Sequence, residues 1–151
     1  MRFALISLFL LSSFSFSFAQ PYQGSIGART GSATGLSLKQ FVAEYSAVEG
    51  LLVWRRDGIR LIGLFEQHLV LTRDGSSLLY GGIGGHVGWT GLISDTNIPQ
   101  RAYGVDFVLG LSYVFPRSPI TLSVDVKPMF ELYRGNRFSG NNAGVTLRYT
   151  W

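Results

Sequence analysis

The chain has 151 residues, no cysteine, and 13 Lys and Arg against 9 Asp and Glu, a formal net charge of +4. That length suits one domain, the lack of cysteine excludes a disulfide framework and a lipidated N-terminal cysteine, and singly scattered cations exclude a nucleic-acid footprint, which needs them clustered. In chain order, residues 1–19 read as a secretory signal: Arg2 is a minimal basic start, an apolar run from Phe3 to Phe18 is broken only by serines, and Ser17-Phe18-Ala19 is a small-x-small cleavage site. The run is shorter than the roughly 20 residues a bilayer-spanning helix needs. Residues 20–151 are then the exported domain, and its 46% hydrophobic residues, 14% aromatics and 19 glycines must be accommodated without a second long apolar segment.

Period-2 alternation accommodates them. Weakly alternating segments near 25–31, 35–42, 47–56, 59–70 and 78–90 are separated by turn signals such as "RRDG" at 55–58 and "TRDGSS" at 72–77. Three stronger runs follow at 103–115, 120–132 and 142–151, of thirteen, thirteen and ten residues. These lengths exceed the soluble strand of about 5–6 residues and match a tilted membrane-crossing strand of about 9–11. The total is eight strands, an even number. With the processed N-terminus in the periplasm, the turns at 43–46, 71–77 and 116–119 lie on that side, and the connections at 32–34, 57–58, 91–101 and 133–141 lie outside, so the two longest are external.

Placing charge on these strands separates their faces. Arg29, Lys39, Glu49, Arg55, Arg60, Glu66, Asp106, Asp125, Lys127, Glu131 and Arg148 share one face and only Arg56 falls on the other, beside a loop. A lipid-facing Arg or Lys costs about 2–4 kcal/mol at the bilayer midplane, so the charged face is read as the lumen. Aromatic residues collect near the strand ends: Trp54, Trp89, Tyr103 and Phe130 toward the outer side, and Tyr113, Phe115, Tyr149 and Trp151 toward the periplasm. Two such girdles are what membrane interfaces select. Glycines at 27, 82, 84, 88, 104 and 110 share the charged face, where a narrow barrel needs space. Registering the hairpins by their turns sets Gly110 opposite Asp125, Gly104 opposite Glu131 and Gly27 opposite Lys39. Asp125 and Arg148, on neighbouring strands, are the expected principal ion pair.

The closing segment "NAGVTLRYTW", with Val145, Leu147, Tyr149 and Trp151 on alternate positions, resembles the C-terminal strand signal of bacterial outer-membrane barrels, which the barrel assembly machinery recognises in that family. "GLSLKQF" (35–41), "AVEGLLVW" (47–54), "LLYGGIGGHVG" (78–88) and "GVDFVLGLSYVFPRSPITLSVDVKPMFEL" (104–132) extend the resemblance to a family of small eight-stranded outer-membrane β-barrel proteins, mostly described only by location. A short first hairpin and weak alternation at 40–46 depart from the pattern. The resemblance implies an all-β, eight-stranded antiparallel up-and-down transmembrane barrel behind a cleaved signal peptide, in the outer membrane of a Gram-negative cell. Its expected partners are outer-membrane lipid, lipopolysaccharide and, during insertion, the assembly machinery; it is expected to be monomeric, without a cofactor or metal.

Six lumen cations against five carboxylates predict mutual pairing in a closed interior rather than a porin-like conducting pore, which would want one sign in excess and a wider ring. Glu49, Glu66 and His68 can meet in the periplasmic half and could in principle perform acid–base chemistry, but Arg29 and Lys39 on adjoining strands are expected to neutralise them. No catalytic residue is assigned. His86 lies toward the other end, and two separated histidines do not make a metal site. "GGIGG" (81–85) lacks the following helix a phosphate loop requires. Arg134 and Arg137 in an outer connection are candidates for lipopolysaccharide phosphates, weighed against solvated loop charge. The expected role is structural or interactive; the alternatives are an outer-membrane lipid-modifying enzyme and a soluble secreted barrel carrying a small ligand.

Overall fold

A computed structural model describes residues 22–56, 58–90, 100–132, 137–140 and 142–151. The expected signal segment and Arg134 therefore lie outside the described residues, as does the Arg137 side chain. The strands are β1 (Gly24–Gly31), β2 (Thr34–Ala43), β3 (Ser46–Arg55), β4 (Gly58–Val70), β5 (Ser77–Thr90), β6 (Gln100–Val114), β7 (Ile120–Val126), β8 (Met129–Glu131), β9 (Arg137–Ser139) and β10 (Ala143–Thr150). β1 to β7 pair antiparallel in succession, β6 also pairs with β8 and β8 with β9, and β10 pairs with both β7 and β1, so the sheet closes on itself. β7 with β8 forms one stave and β9 with β10 another. The result is an eight-stranded antiparallel up-and-down barrel.

The break in the seventh stave has a local cause. Pro128 has no N–H to give to the ladder, and the strand opens at Lys127–Pro128. Flanking bonds carry the stave across the gap: Phe107 N donates to Pro128 O at 2.9 Å and Lys127 N to Asn142 O at 3.0 Å. The weak alternation at 40–46 also has a cause, a register shift between Phe41 and Ala43 where β2 pairs with β3. The turn after β4 is closed by side chains. Asp74 Oδ1 accepts from Ser76 Oγ at 2.9 Å, Ser77 N donates to Thr72 Oγ1 at 3.0 Å, and Gly75 takes a φ of 72°.

The two faces of the barrel are inverted relative to a water-soluble fold. Among the described residues, 33 large apolar or aromatic side chains are exposed, whereas Lys39, Glu49, Glu66, Asp106 and Arg148 are at most 1% exposed. β10 shows the rule in one strand: Val145, Leu147 and Tyr149 face out while Thr146, Arg148 and Thr150 face in. Buried apolar side chains cluster in a wedge of Leu51, Val53, Ile62, Leu64, Tyr80 and Val108 on the β3 to β6 wall and in a smaller group of Tyr22, Phe41 and Ala47 at the turn end, with Leu78 and Met129 buried outside both.

Candidate functional site

Among the described residues, ionisable side chains converge in the lumen, and several of its pairs skip neighbouring strands. Arg29 on β1 meets Asp125 on β7 at 2.7 Å, skipping β10. Lys39 on β2 meets Glu66 on β4 at 2.6 Å, skipping β3. Arg60 on β4 meets Glu131 on β8 at 2.9 Å, and Arg148 on β10 pairs with Glu49 on β3. Where the pairs span a strand, the side chains pass over small residues on it. Gly144 stands opposite Asp125, and a Cβ there would overlap the Arg29 guanidinium. Ala47 stands opposite both Phe41 and Glu66 on the path from Lys39.

This corrects the expected principal pair. Asp125 and Arg148 are not bonded: β7 and β10 register Asp125 against Gly144 and Arg148 against Thr121, four residues apart. Arg29 consequently serves Asp125 rather than the two glutamates, and Lys39 and Arg148 neutralise those. Gly110 opposite Asp125 and Gly104 opposite Glu131 agree with the turn-based register. Gly27 opposite Lys39 does not, because β1 and β2 turn one residue earlier. Gly27 faces Ser37 on β2 and Arg148 on β10, and a Cβ at 27 would fall 2.6 Å from Arg148 Cγ.

In the turn-end half, Arg148 is the hub. Its Nη1 donates to Ser123 Oγ at 2.6 Å and its Nε to Ser37 Oγ at 3.2 Å, while Ser37 donates to Glu49 at 2.6 Å. Ser112 and Ser123 lie 2.8 Å apart. Glu66 and His68 do meet, with Nε2 3.6 Å from the carboxylate, and an aromatic ladder of Tyr22, Phe41, His68 and Tyr80 packs with ring centroids 4.8–5.3 Å apart. Lys39 Nζ lies 4.3 Å from the Tyr80 ring centre and Tyr80 Oη donates to Asp125 at 2.9 Å. Tyr80 thus links the two halves of the lumen, a role the sequence reading did not give it, although its even position in β5 places it on the same face as His86.

The loop-end half holds Arg29, Arg55, Arg60, Asp106, Lys127 and Glu131. Lys127 Nζ lies 3.1 Å from Asp125 Oδ1 and Arg55 donates to Asn142 Oδ1 at 3.3 Å. His86 and Asp106 form a buried pair at 2.7 Å, in which the carboxylate can only accept, so Nδ1 donates. His86 Nε2 has no hydrogen-bond partner. His68 and His86 belong to separate clusters, and among the described residues no group of three His, Asp or Glu is placed to hold a metal. The girdle residues Trp54, Trp89, Tyr103, Phe130, Tyr113, Phe115, Tyr149 and Trp151 all face outward and are exposed, as are Val145 and Leu147 of the closing strand. Tyr113 and Phe115 pack edge to face at 5.1 Å.

Comparison with known proteins adds no relative: no family model, no curated protein and no solved structure matches the chain.

Proposed function

We propose that the protein is an integral barrel of a Gram-negative outer membrane with a structural or interaction role, anchored by its apolar exterior and closed through its lumen. The observation that carries this reading is the inversion of faces. A contiguous apolar exterior of this extent is far beyond the few hundred Å² a soluble monomer exposes, while the polar interior fills its own space with paired charge. Bilayer lipid is the solvent that makes such an arrangement stable, since every backbone group of a closed barrel is satisfied internally. In this reading the two aromatic groups sit at the membrane interfaces, β10 carries the assembly signal, the signal segment directs export, lipopolysaccharide surrounds the loop end, and the barrel works as a monomer. A carrier of small apolar ligands would need an apolar cavity, and the interior here is charged and crossed by side chains. We assign no catalytic role to the lumen.

Fractionation tests the proposal. The protein should be recovered with outer membranes, require detergent for extraction, and migrate faster on a denaturing gel unheated than heated. Recovery from the soluble periplasmic fraction without detergent would refute it. If deleting the gene altered lipid A in its mass spectrum, the lipid-modifying alternative would replace the structural one.

A further inference from the structure

Apolar side chains close the turn-end mouth of the barrel in front of the charge. Tyr22, which precedes β1, packs with Phe41 of β2 and Ala47 of β3, and Val114 of β6 joins them from the far wall. Tyr22 is 5% exposed, and its ring meets Phe41 edge to face with centroids 5.1 Å apart. On each wall the septum residue stands nearer the turn than an ionised one: Phe41 follows Lys39 on β2, and Ala47 precedes Glu49 on β3. Behind the septum, Phe41 contacts the His68 ring at 4.8 Å, and His68 Nε2 lies 3.6 Å from Glu66.

Tyr22 is held differently from the rest of the septum. Phe41, Ala47 and Val114 belong to paired strands. The backbone ladder begins one residue after Tyr22: Gln23 N donates to Trp151 O at 2.7 Å, and Gln23 O accepts from Phe41 N at 2.9 Å and from Gln40 Nε2 at 2.9 Å. No backbone hydrogen bond joins Tyr22 to another described residue, so the packing of its ring seats it. A segment held by few apolar contacts and no ladder bond opens at a lower free energy than the strands beside it.

We propose that Tyr22 is a displaceable stopper: rotation at the Tyr22–Gln23 link withdraws its ring from the mouth, leaves every strand paired, and admits water to His68 and Glu66. The groups behind the stopper can use that water. Both ring nitrogens of His68 are buried without a hydrogen-bond partner, a state that costs free energy and that solvent relieves. Trp151 and Gln40 keep Gln23 in place, so the movement ends there and β1 does not follow. None of this depends on whether lipid or water surrounds the barrel.

Diethyl pyrocarbonate, which carbethoxylates an accessible imidazole, is the probe, with each histidine read by peptide mass spectrometry. The chain has two histidines, and His86, paired with Asp106 in the loop-end cluster, is the internal reference. In the unmodified protein His68 should label slowly while the barrel stays folded by its unheated gel mobility. Tyr22→Gly should speed labelling of His68 on the order of tenfold, the bias an edge-to-face ring pair supplies. Tyr22→Phe keeps the ring and should leave it slow, and His86 should not change in either variant. An unchanged His68 rate in Tyr22→Gly, or an equal rise at both histidines, would overturn the proposal. Complete protection of His68 in the unmodified protein until the barrel unfolds would overturn it whether or not a variant folds.

Discussion

Gly110 is the sharpest point at which the packing of the lumen can be tested. It lies on β6 between Tyr80 on β5 and Asp125 on β7, directly opposite both. A Cβ at this position would fall 2.6 Å from Tyr80 Oη and 2.7 Å from Asp125 Cβ. Gly110→Ala must therefore displace the Tyr80 ring or the β7 backbone, and either movement breaks the 2.9 Å hydrogen bond from Tyr80 to Asp125. A hydrogen bond to a charged group contributes about 1.5–3 kcal/mol, and overpacking a filled interior costs about 1–3 kcal/mol, so the loss should be on the order of 3–5 kcal/mol. The same substitution at Gly63 is the control, because nothing lies within 4 Å of a Cβ there; replacing a strand glycine should then be neutral or stabilise by roughly 0.5–1 kcal/mol. Equilibrium urea unfolding of the purified protein reads both through the midpoint at constant slope. If Gly110→Ala and Gly63→Ala unfold at the same midpoint, the account of a close-packed lumen is wrong.

Three further outcomes are expected. Val124 is 51% exposed on the outer face, and in a bilayer Val124→Arg should cost about 2–4 kcal/mol, seen as impaired insertion into lipid vesicles; unimpaired insertion would count against a membrane exterior. Arg148→Met alone strands Glu49 and should destabilise by about 3–5 kcal/mol, whereas the Arg148→Met, Glu49→Gln double variant should recover much of that loss in a thermal melt, and strict additivity would show that the two are not coupled. In the turn after β4, hydrogen bonds from Thr72 and Ser76 hold the Asp74 carboxyl below its usual range. Because the folded value is the depressed one, this contribution is complete above the ordinary carboxylate value of about 3.9 and disappears as pH falls through the lower folded value. Amide exchange at Ser76 should accelerate only below that point, and Asp74→Asn should remove the pH dependence.

The eight staves, their closure and the face of the charged strand positions were legible from period-2 alternation, because one polar and one apolar face leave a distinct signature on each stave, but β9 (Arg137–Ser139) and the start of β6 at Gln100 fall in stretches read as connections. Register was legible only where a hairpin is tight. "PRSP" fixes Gly110 against Asp125, but β1 and β2 pivot on Ser32–Ala33 after Gly31, whose φ is 136°, and that earlier turn moved Gly27 from Lys39 to Ser37. Asp125 and Arg148 belong to strands joined by a long connection, so their register could not be counted from a turn. The ion pairs were misassigned for a second reason. Several partners meet across one or two intervening strands, as Arg29 reaches Asp125 over Gly144 and Lys39 reaches Glu66 past Ala47, and strand adjacency does not give those pairings. The sequence marks Gly144 and Ala47 as small and inward, but only the closed barrel shows which charge passes over each.

The alternation of β10 also bears on how the barrel closes. A slip of one residue against β1 would bring Leu147 and Tyr149 in among carboxylates and guanidinium groups, and would turn Arg148 out onto the apolar exterior beside Ile26. With side-chain direction reversing at every residue, no intermediate alignment relieves that conflict. The charged interior thus fixes the alignment of the β1–β10 seam, since only this register returns each ionised group to its partner.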